Sequence, residues 1–163
     1  MDEAPDSTPV GAAPRAGGRA DEIALGNLGG YIGFRLRLAQ NASFKAFKRH
    51  TGESDLRPGW FAVMMLISRN PGITPMALSR ASGRDKSTIT PVLRALEQRG
   101  LINRCPLPGD RRSHTLTLTA AGEQMLERLA AHAAAHDAAL DRIVGDRKNE
   151  LLDLLRRITA EID

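Results

Sequence analysis

One stretch, residues 74 to 118, limits what this 163-residue chain can fold into. It opens with Thr74-Pro-Met-Ala-Leu-Ser-Arg80, crosses Gly83, and continues as Asp85-Lys-Ser-Thr-Ile-Thr-Pro-Val-Leu-Arg-Ala-Leu-Glu-Gln-Arg99. After Gly100 come Leu101 to Cys105, a turn-forming Pro106, Pro108 and Gly109, then Asp110-Arg-Arg-Ser-His-Thr-Leu-Thr-Leu118. The pattern predicts a short helix, a tight turn, a second helix, and two short strands, Leu101 to Cys105 and Thr115 to Leu118, around a basic loop. That order is a winged helix-turn-helix, which holds one helix in a DNA groove.

The second helix carries the inference. Ile89, Val92, Leu93 and Leu96 recur at i, i+3, i+4 and i+7 and should face the core. Ser87, Thr90, Pro91, Arg94 and Gln98 then point outward. A solvated helix surface usually mixes Lys with Glu. This face has small hydroxyls and a lone arginine able to fork onto a guanine edge. Arg84, Lys86 and Thr88 flank it, and Asp85 suits the N-cap. Pro91 removes one helical amide and should bend the helix. In the loop, Asp110 can orient Arg112 and leave Arg111 for a narrow minor groove, although either arginine could be the one inserted.

Charge supports a polyanionic partner. Residues 57 to 112 hold ten Lys/Arg against three Asp/Glu, a net +7 in a chain whose total is +4. A single cysteine excludes an internal disulfide and fits the cytoplasm, and no apolar run approaches a membrane span. No Gly-rich phosphate loop, nucleophile-base pair or paired carboxylates support an enzyme.

Residues 1 to 20, rich in Ala, Pro and Gly, should form a disordered arm. One domain is expected over 21–163, with helices over 22–50 and 120–163 for dimerisation and a DNA-binding lobe over 56–118. From Glu22 to His50 a single long helix is expected. Leu25, Leu28, Ile32, Leu36, Ala39 and Phe47 form one apolar stripe, and Tyr31, Phe34 and Leu38 a second. A helix apolar on two sides is covered on two sides, by its own domain and by a second copy. Gly26, Gly29, Gly30 and Gly33 weaken it and suggest close approach. Arg35 and Arg37, set among apolar residues, need anionic partners, either ion pairs in the dimer or a polyanionic ligand.

A further helix opens at Pro58, is apolar through Trp60, Phe61, Val63, Met64, Leu66 and Ile67, and stops at Asn70-Pro71-Gly72. Thr119 should cap a helix ending at Gly145, and a last helix places Leu151, Leu152, Leu155 and Ile158 on one face. His132 and His136 lie one turn apart and could pair on a metal, but no third ligand is near, so solvent-facing histidines and no metal site are expected.

Asp85-Lys-Ser-Thr-Ile-Thr, Leu96-Glu-Gln-Arg-Gly-Leu-Ile, Asp110-Arg-Arg-Ser and Leu118-Thr-Ala-Ala-Gly122 together resemble the MarR family of bacterial transcription regulators, over about residue 25 to the end. The resemblance implies a homodimeric winged-helix repressor on a palindromic operator, released by a small effector and needing no cofactor. Gly33-Phe-Arg-Leu-Arg-Leu-Ala-Gln40 resembles the branch that responds to hydroxycinnamoyl-coenzyme A thioesters. It implies that Arg35 and Arg37 meet the ligand's phosphates, and the family's ligand crevice would bring Trp60 and Met64, with Tyr31, to its aromatic ring, core packing being the other and favoured reading of Trp60 and Met64. A free phenolic or aromatic carboxylate is the alternative effector. An acyl-thioester enzyme using Arg35 and Arg37, or a sequence-neutral architectural DNA protein, are rival readings.

Overall fold

Gly83 lies between two helices at φ +61°, the left-handed conformation that a tight turn between helices requires of glycine. The surrounding chain, in a computed structural model, is described for residues 23–50, 58–107 and 110–162. It divides into two compact units, 1–37 and 38–163. The proposed arm over residues 1–20 lies outside the described residues.

In the first unit, the expected long helix from Glu22 is broken. Gly26–Gly30 forms a short 3-10 helix, Tyr31 is extended, and α1 (Ile32–His50) begins only then. Four glycines in eight residues explain the break, since each costs a helix interior up to about 1 kcal/mol, and Gly26 takes φ +51°. Leu25 and Leu28 therefore do not continue the apolar stripe of α1. Arg35 and Arg37 are exposed rather than embedded. The Arg35 guanidinium donates to the Gly29 carbonyl at 2.6 Å, closing the glycine turn.

The second unit holds the core. Helix α2 (Pro58–Arg69) contributes Trp60, Val63, Met64 and Ile67. Helix α3 (Pro75–Ala81) contributes Leu78, and α4 (Lys86–Gln98) contributes Ile89, Leu93 and Leu96, all between 0% and 2% exposed. The i, i+3, i+4, i+7 pattern is thus the packed face of α4, with Val92 partly buried against the same core. Each such side chain contributes about 1.5–3 kcal/mol by leaving water. Helix α4 runs through Pro91, and the Thr90 hydroxyl donates to the Lys86 carbonyl at 2.7 Å.

Strands β1 (Ile102–Leu107) and β2 (Asp110–Leu118) pair antiparallel, from Ile102 opposite Leu118 to Pro106 opposite His114. Both are longer than expected. A two-stranded ribbon leaves its outer edges free, so Pro106 can lie in a strand with no ladder bond to break. Asp110, Arg111 and Arg112 consequently begin the return strand instead of lying in an open loop. Ile73 bridges to Leu116 and ties the ribbon to the segment before α3.

The strand-to-helix joint is closely packed. Thr119 caps α5 (Ala120–Val144) by accepting from the Gly122 amide at 3.0 Å, and its hydroxyl donates to the Gly100 carbonyl at 2.6 Å. The Thr119 amide donates to Leu101 O at 3.1 Å. A side chain on Gly122 would bring Cβ within 2.0 Å of that same oxygen. Here the Leu-Thr-x-x-Gly sequence has a plain packing reason. Gly145, at φ +59°, ends α5, a short 3-10 turn follows, and α6 (Lys148–Glu161) closes the described chain. Lys148 links the two helices by ion pairs to Asp141 at 2.6 Å and Asp137 at 3.2 Å.

A candidate nucleic-acid interface and an apolar cavity

The turn before α4 is built by short side chains. Ser79 donates to the Arg84 carbonyl, the Arg84 amide returns a bond to Ser79 O at 3.1 Å, and Ser82 donates to Ser79 O at 3.2 Å. Asp85 then caps α4, accepting from the Thr88 amide at 2.8 Å and the Ser87 hydroxyl at 2.7 Å. Those two bonds, Ser87 first, hold the Asp85 carboxyl below the usual carboxylate range. A lowered folded value means that the cap is complete above that range and is lost as the pH falls through it.

Outside the core face, Lys86, Ser87, Thr88, Thr90, Pro91 and Arg94 are all exposed. The nearby carboxylate on the flank, Glu97, is paired with Arg104 of β1 at 2.9 Å. Arg94 forms no ion pair among the described residues and projects from a surface of hydroxyls and methyls. With the Ser87 and Thr90 hydroxyl protons already directed to Asp85 and Lys86 O, those oxygens are left to accept and the threonine methyls to make apolar contact. An exposed guanidinium between small groups suits a base edge.

Arg84, expected on DNA, is half-buried and turns back toward α2. A methyl group on Gly59 would come within 2.7 Å of its guanidinium, so the glycine makes room for it. The backbones of Asp110, Arg111 and Arg112 lie in the ribbon, and the expected Asp110–Arg112 pair falls on side chains outside the described residues.

The residues expected to meet a ligand are divided between the two units. Tyr31 is 59% exposed in the first unit, with Arg35 and Arg37. Trp60 and Met64 are packed into the core at 2% and 0% exposure, and the Arg99 guanidinium covers the Trp60 ring at 4.9 Å. Phe61, one residue beyond Trp60, instead faces a cavity.

That cavity, of about 480 Å³, lies between α1, α2 and α5 within the second unit. Phe44 and Phe47 of α1 and Phe61 of α2 line it together with Ala130, Ala133 and Ala134 of α5. His136 and Ser43 supply its polar edge, with Ser43 Oγ 2.8 Å from His136 Nε2. Contrary to the solvent-facing expectation, His136 is buried at 9% and meets Phe47 edge-on, with ring centres 5.8 Å apart. Its partner stands 93 residues away in sequence. The run from Ala130 to Ala139, broken only by His132, His136 and Asp137, was the readable trace of this space. Small side chains among phenylalanines leave room. Among the described residues no group of three metal-ligating side chains occurs.

Comparison with known proteins bears on both sites. The MarR family model matches residues 56–114. A Thauera aromatica protein assigned as transcriptional regulator of the hcr operon is 34% identical over 139 residues, covering 84% of each chain. The chain belongs to the MarR family. Escherichia coli HosA, a transcriptional regulator, is 31% identical over 118 residues, covering 69% of this chain and 87% of its own. Two solved structures of the transcriptional repressor CouR share the fold. One, bound to a 23-mer DNA duplex, is 33% identical with a TM-score of 0.75, covering 85% of this chain and 99% of its own. The other, bound to p-coumaroyl-CoA, is 31% identical with a TM-score of 0.77, covering 86% and 99%. MarR regulators are dimeric DNA-binding proteins, and relatives and neighbours alike are transcription regulators rather than enzymes. No described helix is long and apolar enough to cross a membrane.

Proposed function

We propose that this MarR protein is a homodimeric, cytoplasmic repressor that binds a palindromic operator and leaves it when an aromatic acyl-coenzyme A thioester binds. The observation that carries the reading is the outer face of α4, where Arg94 stands exposed among small groups on a helix whose opposite face is fully packed. Two such helices in one dimer would enter successive major grooves about 34 Å apart. The similar fold of CouR, solved on a DNA duplex, supports this use of the lobe.

The effector assignment rests on the α1–α2–α5 cavity and on the likeness to CouR with p-coumaroyl-CoA. About 480 Å³ is within the roughly 300–1,000 Å³ usual for small-molecule sites. Phenylalanines and alanines in one lining give an apolar space suited to an aromatic ring. Release requires only that the thioester bind a DNA-incompetent conformation more tightly than the competent one. Helix α5 both lines the cavity and starts at the Thr119 joint against Leu101, so a shift of α5 would carry the ribbon and the end of α4 with it.

Fluorescence anisotropy on DNA from upstream of its own gene tests the reading. Binding should be tight at physiological salt and should collapse on addition of p-coumaroyl-CoA but not of free coenzyme A. Binding indifferent to the thioester would remove the effector and leave the regulator.

A further inference from the structure

We infer that the Ser43–His136 pair reads a neutral phenolic hydroxyl on the effector's ring, and so selects hydroxylated aromatic acyl groups over unsubstituted ones. This rests on the effector reading above and names what its cavity discriminates.

Apart from Asp137, the described lining of the cavity is apolar except at one edge. Phe44, Phe47, Phe61 and three alanines offer a ring only contact. The edge holds Ser43 Oγ and His136 Nε2, 2.8 Å apart. A serine hydroxyl has one proton and two lone pairs, and its bond to the imidazole uses one of these three. Whichever imidazole tautomer is present, Ser43 Oγ keeps a further position with which to meet a ligand hydroxyl. His136 in turn meets the Phe47 ring edge-on, which limits how far the imidazole can turn away from Ser43.

Charge argues for a hydroxyl rather than a carboxylate at this edge. Among the described residues no lysine or arginine lines the cavity, and its acidic member, Asp137, is already paired with Lys148. A ring carboxylate carried here would lose water and face a carboxylate. A phenol is neutral, donates and accepts, and loses little. Because the Ser43–His136 bond is kept when no ligand hydroxyl is present, the discrimination is that of a single added hydrogen bond, about tenfold.

The test uses the full chain on its operator and compares p-coumaroyl-CoA with cinnamoyl-CoA, which differ only in the ring hydroxyl. Half-release by the wild type should need about tenfold less p-coumaroyl-CoA. Ser43→Ala should reduce that ratio to about twofold or less, and Ser43→Thr, which keeps a hydroxyl, should restore it. Equal response of the wild type to both thioesters would overturn the inference while leaving the effector reading intact. A Ser43→Ala variant that keeps the tenfold ratio, or fails with both thioesters alike, would also overturn it. No response of the wild type to either would overturn the effector reading and this inference together.

Discussion

The winged lobe and the last helix bury their leucines differently. In the lobe, Leu78, Leu93, Leu96 and Leu116 are at most 2% exposed, enclosed by residues of the same chain. On α6, Leu151, Leu152 and Leu154 remain 37–46% exposed, and Ile143 at the end of α5 reaches 81%. The lobe is finished within one chain, and the C-terminal helices are not. In a dimeric family that difference separates the part that reads DNA from the part that sets the distance between two readers.

The largest effect should come from breaking the unfinished region. Leu151→Asp with Leu154→Asp places two charges on the exposed face where a second copy is proposed to pack. Light scattering should then show a monomer, with the lobe's circular dichroism retained. Operator affinity should fall at least about a hundredfold, since two linked half-site contacts become one. A dimer of undiminished affinity would show that these leucines serve something else.

A smaller effect sharpens the link between the regions. Gly122→Ala drives a methyl against Leu101 O, a backbone atom with little freedom to retreat. Overpacking of this kind costs about 3 kcal/mol, or roughly 6–12 °C in Tm for a chain of this length. An unchanged Tm would mean that α5 can slide past the ribbon, and a rigid joint would be ruled out.

How much of this was readable beforehand follows from the distance over which each feature is decided. The packed face of α4, the caps at Asp85 and Thr119 and the stop at Gly145 are set by residues within a turn of each other, and all stand as the pattern implied. The start of α1 was misjudged because its glycines were weighed as sites of close approach rather than as a break. The ribbon was read short because Pro106 looks like a strand terminator when its free edge is unknown. His136 was expected to face solvent and does not. Its burial depends on Ser43 and Phe47 on another helix, and no local spacing records such a contact. Likewise Trp60 and Met64 are apolar enough for either a core or a crevice, and only packing decided for the core.

The central claim is that the outer face of α4 reads bases, and one anisotropy titration addresses it directly. Wild type and Arg94→Ala would be compared on the operator and on operators altered one base pair at a time. The wild type should bind tightly and lose affinity at several positions. Arg94→Ala should bind about tenfold more weakly or worse, corresponding to about 1–3 kcal/mol, and become indifferent to the base at one position. An Arg94→Ala protein that matches the wild type in affinity and in every base preference would contradict the account.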